Sequence, residues 1–176
     1  NLTGKKVVWL NFQSDWFNGI KFPVESVKNI WKDGAIPSIR MLPWSTYDKF
    51  DKTYSLKKIV DKKFDKELRQ WARDLKKTDI PVLIGFAGEP NGDWFPWSGI
   101  QNGGGNKTGY GDKDLADGPE IYRDAYRYII DIFNDEVTFN SKNSGIIYSA
   151  YRGTGTQFND NIIVNSTGTG GVRIGA

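Results

Sequence analysis

Apolar residues along the chain gather in short runs and in stripes, and the two patterns alternate. Nearly continuous apolar runs at 6–13, 36–42 and 80–87 predict strands that are covered on both faces, as in a parallel sheet. The segments 23–32 and 64–77 instead repeat their apolar residues at helical spacing. The stripe of the second helix consists of Phe64, Leu68, Trp71, Ala72 and Leu75. This alternation of strands and helices predicts an α/β fold with right-handed crossovers.

The connections after the strands are long, which bears on the kind of α/β fold. A glycine-rich stretch at 98–117 follows the third strand and predicts a loop that shapes a cleft. Another amphipathic helix begins at Asp117, with Glu120 three residues later in a capping pattern, and a short strand is predicted at 137–139. Such connections are typical of a (β/α) TIM barrel, whose site lies at the carboxyl ends of the strands.

Alternation along the third strand predicts which side chains face that site. In an extended strand, Val82, Ile84 and Phe86 face one way and suit packing beneath outer helices. The smaller residues between them face the other way and suit a narrow barrel interior. Continued to Glu89, the same alternation directs this carboxylate into the barrel mouth.

The last part of the chain follows a different pattern. Short apolar groups at 146–148, 162–164 and 172–174 stand among Gly, Asn, Ser and Thr, without an amphipathic helix. This spacing resembles coils of a parallel β-helix, and a truncated or foreign continuation explains it equally well. We therefore divide the chain into a partial barrel at 1–139 and a β-rich tail of open fold at 140–176.

Composition excludes several classes of site. The 176 residues contain no His and no Cys, so Ser-His-Asp catalysis, His-ligated zinc, thiolate metal sites and disulfides are excluded. The lysines alternate with acidic residues at helical spacing and indicate solvated helix faces rather than a nucleic-acid surface. No apolar run approaches the roughly 20 residues of a membrane span. The high aromatic content, 14%, fits either a large core or a carbohydrate cleft.

The most informative motif directly follows the third predicted strand. At 88–97 the chain reads Gly-Glu-Pro-Asn-Gly-Asp-Trp-Phe-Pro-Trp, so that Glu89 precedes a tight Asn-Gly turn and two tryptophans. A carboxyl group beside flat apolar rings is what cleavage of a glycosidic bond requires, because one group moves the proton and the rings stack on sugar faces. The alternative is a loop glutamate before a turn that only reverses the chain.

This motif resembles the acid/base motif of glycoside hydrolase family 26, whose members are mostly β-mannanases. The segments 58–71 and 119–133 resemble the helices that the family places before and after the strand of this motif, and 37–44 resembles the preceding strand. The resemblance covers roughly residues 5–139. It implies that Glu89 ends the fourth barrel strand, so that the chain holds about strands two to five of a barrel.

By position, the resemblance implies roles for several residues. Glu89 corresponds to the general acid/base, Trp94 and Trp97 to aromatic residues beside the sugar, and Asn91 to a residue that fixes the loop and contacts substrate. The further cleft candidates, for each of which core or loop packing is an equal alternative, are Trp44, Tyr110 and Trp16.

The chain also departs from the family pattern. The family usually has His before the acid, where this chain has Gly88, and it often has Trp-Glu where this chain has Met41 and Leu42. A retaining glycosidase needs a second carboxylate about 5–5.5 Å from the first as nucleophile, and the family takes it from the seventh strand, beyond the resemblance. Three other carboxylates could lie near Glu89, and the sequence assigns none of them as the nucleophile, namely Asp15, Asp93 and Asp112.

Neither the motif nor the resemblance implies a cofactor or a metal. The acidic residues of the glycine-rich stretch miss the spacing of a calcium loop by one residue, so a polar loop and a helix cap explain them. These residues are Asp112, Asp114, Asp117 and Glu120.

The sequence thus favours a retaining endo-β-glycanase that acts on a β-linked polysaccharide, β-1,4-mannan in the first place, outside the cell or at its surface. The alternatives are a carbohydrate-binding or surface module without catalysis, and an inactive fragment. The polysaccharide is the expected partner, and no nucleic acid or membrane span is expected.

Overall fold

The sheet is parallel throughout. The computed structural model describes residues 7–136 and 146–148. The four described strands are hydrogen-bonded in chain order, and they are β1 (Trp9–Asp15), β2 (Ile36–Leu42), β3 (Val82–Phe86) and β4 (Ile146–Tyr148). The prediction of an α/β fold with a parallel sheet is therefore confirmed.

Helices connect the strands, as parallel pairing requires. The described helices are α1 (Val24–Lys32), α2 (Leu56–Val60), α3 (Asp65–Thr78) and α4 (Asp117–Glu136), with a 3-10 turn at Gly99–Asn102. The helices predicted at 23–32 and 64–77 agree with α1 and α3 to within one residue at each end. The sequence did not predict α2, because its five residues are too few for an apolar stripe to be visible.

The core lies between the sheet and these helices. Ile39, Met41 and Ile84 point from the sheet into it and are fully buried. Trp71 of α3 stacks on Phe133 of α4, with ring centroids 4.9 Å apart and planes 4° from parallel. Apolar side chains from two helices and two strands thus meet in one cluster, which holds the carboxyl end of β3 in a fixed place.

The alternation predicted for β3 is correct within the strand and fails beyond it. Val82, Ile84 and Phe86 are buried, whereas the residues between them are half-exposed on the open face of the sheet. The strand ends at Phe86, however, because the backbone then turns left-handed at Ala87 (φ 48°) and again at Glu89 (φ 59°). An argument from extended geometry therefore does not reach Glu89.

The predictions for the end of the chain fall mostly outside the described residues. The strand predicted at 137–139 and the apolar groups at 162–164 and 172–174 lie there. The group Ile146–Tyr148, which the sequence assigned to the tail, forms β4 and pairs with β3 in the same parallel sheet. The sheet therefore continues past residue 139.

The amino-terminal end of β1 carries exposed apolar side chains. Within the described part of the chain, β1 pairs on one side only, with β2. Val7, Val8, Trp9 and Leu10 are between 45% and 63% exposed, so this end of the sheet presents an apolar surface. Among the described helices, none has the length and apolarity that crossing a membrane requires.

The loop between β2 and α2 folds around one buried carboxylate. Asp51 accepts hydrogen bonds from the backbone N–H groups of Ser45 and Thr53 and from the Ser45 hydroxyl. Burial by itself would raise the pKa of Asp51, but hydrogen bonds from Ser45 and Thr53 outweigh it and bring the pKa to about 2, below the ordinary value of 3.8.

Replacing Asp51 with Asn is expected to lower the free energy of unfolding by about 1–2 kcal/mol near neutral pH. The folded pKa is depressed, so the stabilisation is present above the unfolded value of 3.8 and is lost as the pH falls toward about 2. Urea unfolding at about pH 7 and about pH 2.5 should therefore show the gap between the two proteins closing in acid. The exposed Asp33→Asn is the control, and a gap that stays constant with pH would contradict the assignment.

Candidate functional site

Glu89 lies on a strained turn at the carboxyl end of β3. Ala87 and Glu89 both have positive φ values, 48° and 59°, in a region that residues with a side chain rarely adopt. Each such residue costs roughly 1 kcal/mol, and the surrounding structure must hold it there. The phenol of Tyr122 on α4 donates to the carbonyl of Phe86 at 3.3 Å, and this contact ties the strand end to the helix.

Both carboxylate oxygens of Glu89 accept a hydrogen bond. The guanidinium of Arg40 donates from Nη2 to Oε1 at 3.3 Å, which makes an ion pair, and the indole of Trp94 donates from Nε1 to Oε2 at 3.2 Å. The side chains of Arg40 and Glu89 are each about one-third exposed. Glu89 is thus accessible from solvent while two donors fix the plane of its carboxylate.

Sequence reasoning did not identify Arg40, although a signal for it was present. Arg40 alternates with the buried Ile39 and Met41, so it lies on the open face of β2 near the carboxyl end of that strand. Strand pairing places it opposite Gly85 of β3. A charged residue on the open face, next to a strand that ends in a candidate acid, could have been noted from the alternation alone.

Trp94 presents its indole at the surface of the site. Its side chain is 52% exposed, and its six-membered ring lies directly against Gly92. A Cβ at position 92 would meet ring carbons at 2.5 Å, so only glycine fits beneath the ring. The Asn-Gly pair was predicted to turn the chain, and Gly92 also provides the backbone surface against which the Trp94 ring packs.

The other tryptophans of the predicted site lie below the surface. Trp97 is 1% exposed, donates from Nε1 to the carbonyl of Gly88 at 2.8 Å, and stacks on Phe95 at 4.4 Å. Trp44 is also buried and packs against Trp97 at 5.4 Å. Neither ring has a free face for a sugar, and both support the turn that carries Glu89.

Trp16 belongs to the same buried group. It is fully buried and packs edge-on against Tyr54 at 5.1 Å and near Phe86 at 6.4 Å. Trp16 therefore packs against the end of β3 from within the core and supports the site without lining it. An exposed tyrosine, Tyr47, instead covers Trp44 from outside with its ring centroid 5.0 Å away.

Two buried carboxylates at the start of α4 anchor the glycine-rich loop. Asp117 accepts the backbone N–H groups of Gly109 and Tyr110, and Glu120 accepts that of Asp112. The phenol of Tyr110 donates to Asp124, and burial followed by this hydrogen bond raises the pKa of Tyr110 to about 12. Asp117 and Glu120 thus hold the loop, and residues 7–136 contain no cluster of three potential metal ligands.

An open groove of about 590 Å³ lies between the Trp94 loop and the glycine-rich loop. Its lining includes Asn91, Trp94 and Ile100, with the backbone of Gly104 and Gly105 opposite. Asn91 and Trp94 are exposed, so they are the two predicted substrate contacts that the structure brings together on an accessible surface.

Among the described residues, no hydrogen bond joins Glu89 to a second carboxyl group. Asp15 accepts the backbone N–H of Phe17, and Asp112 accepts that of Asp114, so both stabilise local turns. Asp93 is exposed and lines the groove. In the described part of the chain, the polar contacts of the Glu89 side chain are those with Arg40 and Trp94.

Two comparisons with known proteins cover the part of the chain that holds this site. A family model described as glycosyl hydrolase family 26 matches residues 45–151, more than half of the chain, and includes the turn with Glu89. Endoglucanase H of Acetivibrio thermocellus is 25% identical over 141 residues, which cover 80% of this chain. The chain spans only 14% of the length of that protein.

Proposed function

Because the chain belongs to glycosyl hydrolase family 26, we propose that it carries the acid/base side of a retaining endo-β-glycanase site, with Glu89 as the general acid and base. One observation carries the proposal: Glu89 follows a parallel strand at its carboxyl end, with Oε2 3.2 Å from the indole of the half-exposed Trp94. A partly accessible carboxylate beside an aromatic ring suits proton transfer at a glycosidic oxygen.

In this mechanism Glu89 acts twice. It first protonates the leaving glycosidic oxygen while a second carboxylate attacks the anomeric carbon, and the bond to the leaving sugar breaks. It then removes a proton from the water that hydrolyses the glycosyl intermediate. Trp94 provides the apolar face on which a sugar ring stacks, and Asn91 is exposed beside it for hydrogen bonds to hydroxyls.

The proposed substrate is a soluble β-1,4-linked polysaccharide, with mannan first because the motif at 88–97 resembles that of β-mannanases. The name endoglucanase H, borne by a relative, makes β-glucan the natural comparison substrate. The groove beside Trp94 begins at Pro90, next to Glu89 in the chain, and it is open to solvent, which suits a polymeric substrate. Such substrates are too large to enter a cell, which supports an extracellular or cell-surface location.

We also infer that the described sheet is part of a TIM-type barrel. In this assignment β1 to β4 are barrel strands two to five, Glu89 ends strand four, and the barrel domain runs at least to Tyr148. The parallel order of the strands and the helices between them support it. The part of the predicted β-rich tail that follows residue 148 lies outside the described residues, and it is not included in this barrel assignment.

A second candidate is a carbohydrate-binding module without catalysis. The ion pair between Arg40 and Glu89 favours it, because a charged pair beside an exposed ring can bind sugar hydroxyls without a second carboxylate. The two candidates differ in whether binding leads to new reducing ends.

Trp94→Ala separates these candidates from an inactive fragment. We expect it to weaken binding of soluble mannan about tenfold, or ~1.4 kcal/mol, because a stacking face is lost. Calorimetry measures the affinity, and release of reducing ends from mannan and β-glucan distinguishes an enzyme from a binding module. The control is Trp31→Ala, which removes an exposed ring (45%) on α1. Equal affinity in all three proteins would count against the proposed site.

A further inference from the structure

We propose that Arg40 is a positioning residue for Glu89, which it holds from the neighbouring strand before a sugar binds. The inference rests on the proposed function of Glu89. Arg40 and Trp94 approach opposite oxygens of one carboxylate, at 3.3 and 3.2 Å. Between them they fix both the direction and the plane of the group that is to move the proton.

The register between β2 and β3 allows the side chain of Arg40 to reach Glu89. Arg40 pairs with Gly85 across β2 and β3, and a glycine at that point puts no side chain beside the arginine on the open face. At the following turn, the position of a Cβ on Gly88 would lie 3.6 Å from Nη2 of Arg40, so the guanidinium passes close over the backbone. Gly85 thus leaves the route from β2 to Glu89 open, and the guanidinium passes Gly88 at ordinary contact distance.

The backbone conformation of the turn that carries Glu89 explains why a contact that fixes the side chain matters. Ala87 and Glu89 adopt left-handed backbone conformations that are unfavourable on their own. A glutamate side chain also has several rotatable bonds, and ordering them costs conformational entropy. The ion pair with Arg40 on β2 opposes both the relaxation of this backbone and the rotation of the Glu89 side chain. Placement of a reacting group is worth large factors in rate, so a small displacement of Glu89 should be visible in turnover.

The chemistry of the two contacts supports a role in placing the base. Arg40 and Trp94 are both hydrogen-bond donors, and each of them holds one of the two carboxylate oxygens of Glu89. Arg40 is not among the residues that line the groove, and its side chain contacts Glu89, so it acts through Glu89. We therefore assign it to positioning and not to the reacting groups.

A spectroscopic experiment tests the contact without any substrate. Arg40→Met keeps the apolar stem and removes the charge, and we expect it to shift the indole N–H resonance of Trp94, which is assigned by its loss in Trp94→Phe. Once Arg40 is gone, Glu89 reorients and the hydrogen bond from Trp94 to Oε2 changes. The indole resonance of Trp71, buried between α3 and α4, is the internal control and should stay in place.

Arg40→Lys should bring the Trp94 resonance back part of the way, because lysine restores the charge without the planar fork of arginine. If Arg40→Met folds poorly, Arg40→Gln serves as the second variant. A Trp94 resonance that is unchanged in both folded variants would overturn the proposal.

Kinetics test the consequence for turnover. With a polysaccharide that the unaltered chain hydrolyses, Arg40→Met is expected to lower kcat about tenfold or more with KM within about twofold, since placement and not sugar binding is impaired. A raised KM with unchanged kcat would overturn the positioning role. A chain that hydrolyses nothing would defeat the proposed function alone, because the indole resonances still decide for or against the contact.

Discussion

Replacing Glu89 with Gln is expected to abolish hydrolysis of soluble β-1,4-mannan while the fold is kept. An amide has the size of the carboxyl group and can still accept from Arg40, but it can neither give a proton to the leaving oxygen nor take one from water. General acid–base catalysis contributes about 10²–10⁴-fold, and loss of both steps should place the variant at or beyond the upper end of that range.

Release of reducing ends measures this loss, and circular dichroism verifies the fold. Asp93→Asn is the matched control, because Asp93 is an exposed carboxylate in the same loop and lines the same groove. Its activity should stay within a few-fold of the unaltered chain. Undiminished hydrolysis by the Glu89→Gln protein would remove Glu89 from the mechanism.

Trp71→Ala should have the largest effect on stability, about 3–5 kcal/mol off the free energy of unfolding. Trp71 is 1% exposed and packs between Phe22, at 4.9 Å, and Phe133 of α4. Removing the indole leaves a cavity at the point where α1, α3 and α4 meet, and the rigid surroundings can close it only in part.

Urea unfolding monitored by far-ultraviolet circular dichroism measures the change. The matched control is Trp31→Ala on α1, which removes the same ring from an exposed position and should change the unfolding free energy by less than about 1 kcal/mol. Similar losses of unfolding free energy in both variants would show that burial of Trp71 in its aromatic cluster does not contribute the expected stability.

The bounds of β2, α1 and α3 were predictable, because the apolar positions of these elements report burial. The run at 6–13 was predicted to be covered on both faces, but β1 spans Trp9–Asp15 and the apolar residues at its start are exposed. β2 has the predicted bounds, and α3 carries the stripe that the sequence predicted. The short α2 was missed, since its start depends on the Ser55 cap and the packing of Leu56 and Ile59. Five residues give too few apolar positions for a period to appear.

The site was predictable in its chemistry and less so in its geometry. Glu89 and Trp94 follow from the motif, but their mutual contact depends on the left-handed turn at Ala87 and Glu89, for which the sequence gives no glycine signal at those positions. Trp97 was grouped with Trp94 because both follow the same acid. Composition cannot tell a buried ring from an exposed one three residues away, and only packing against Phe95 decides it.

The contact between Gly92 and Trp94 also has an evolutionary consequence. Every codon change that replaces Gly92 adds a Cβ, and the indole already occupies the space that this atom needs. The ring would then have to move away from position 92, and its hydrogen bond to Glu89 would be lost. Any substitution at position 92 is therefore expected to displace the indole of Trp94, so the identities of residues 92 and 94 should depend on each other.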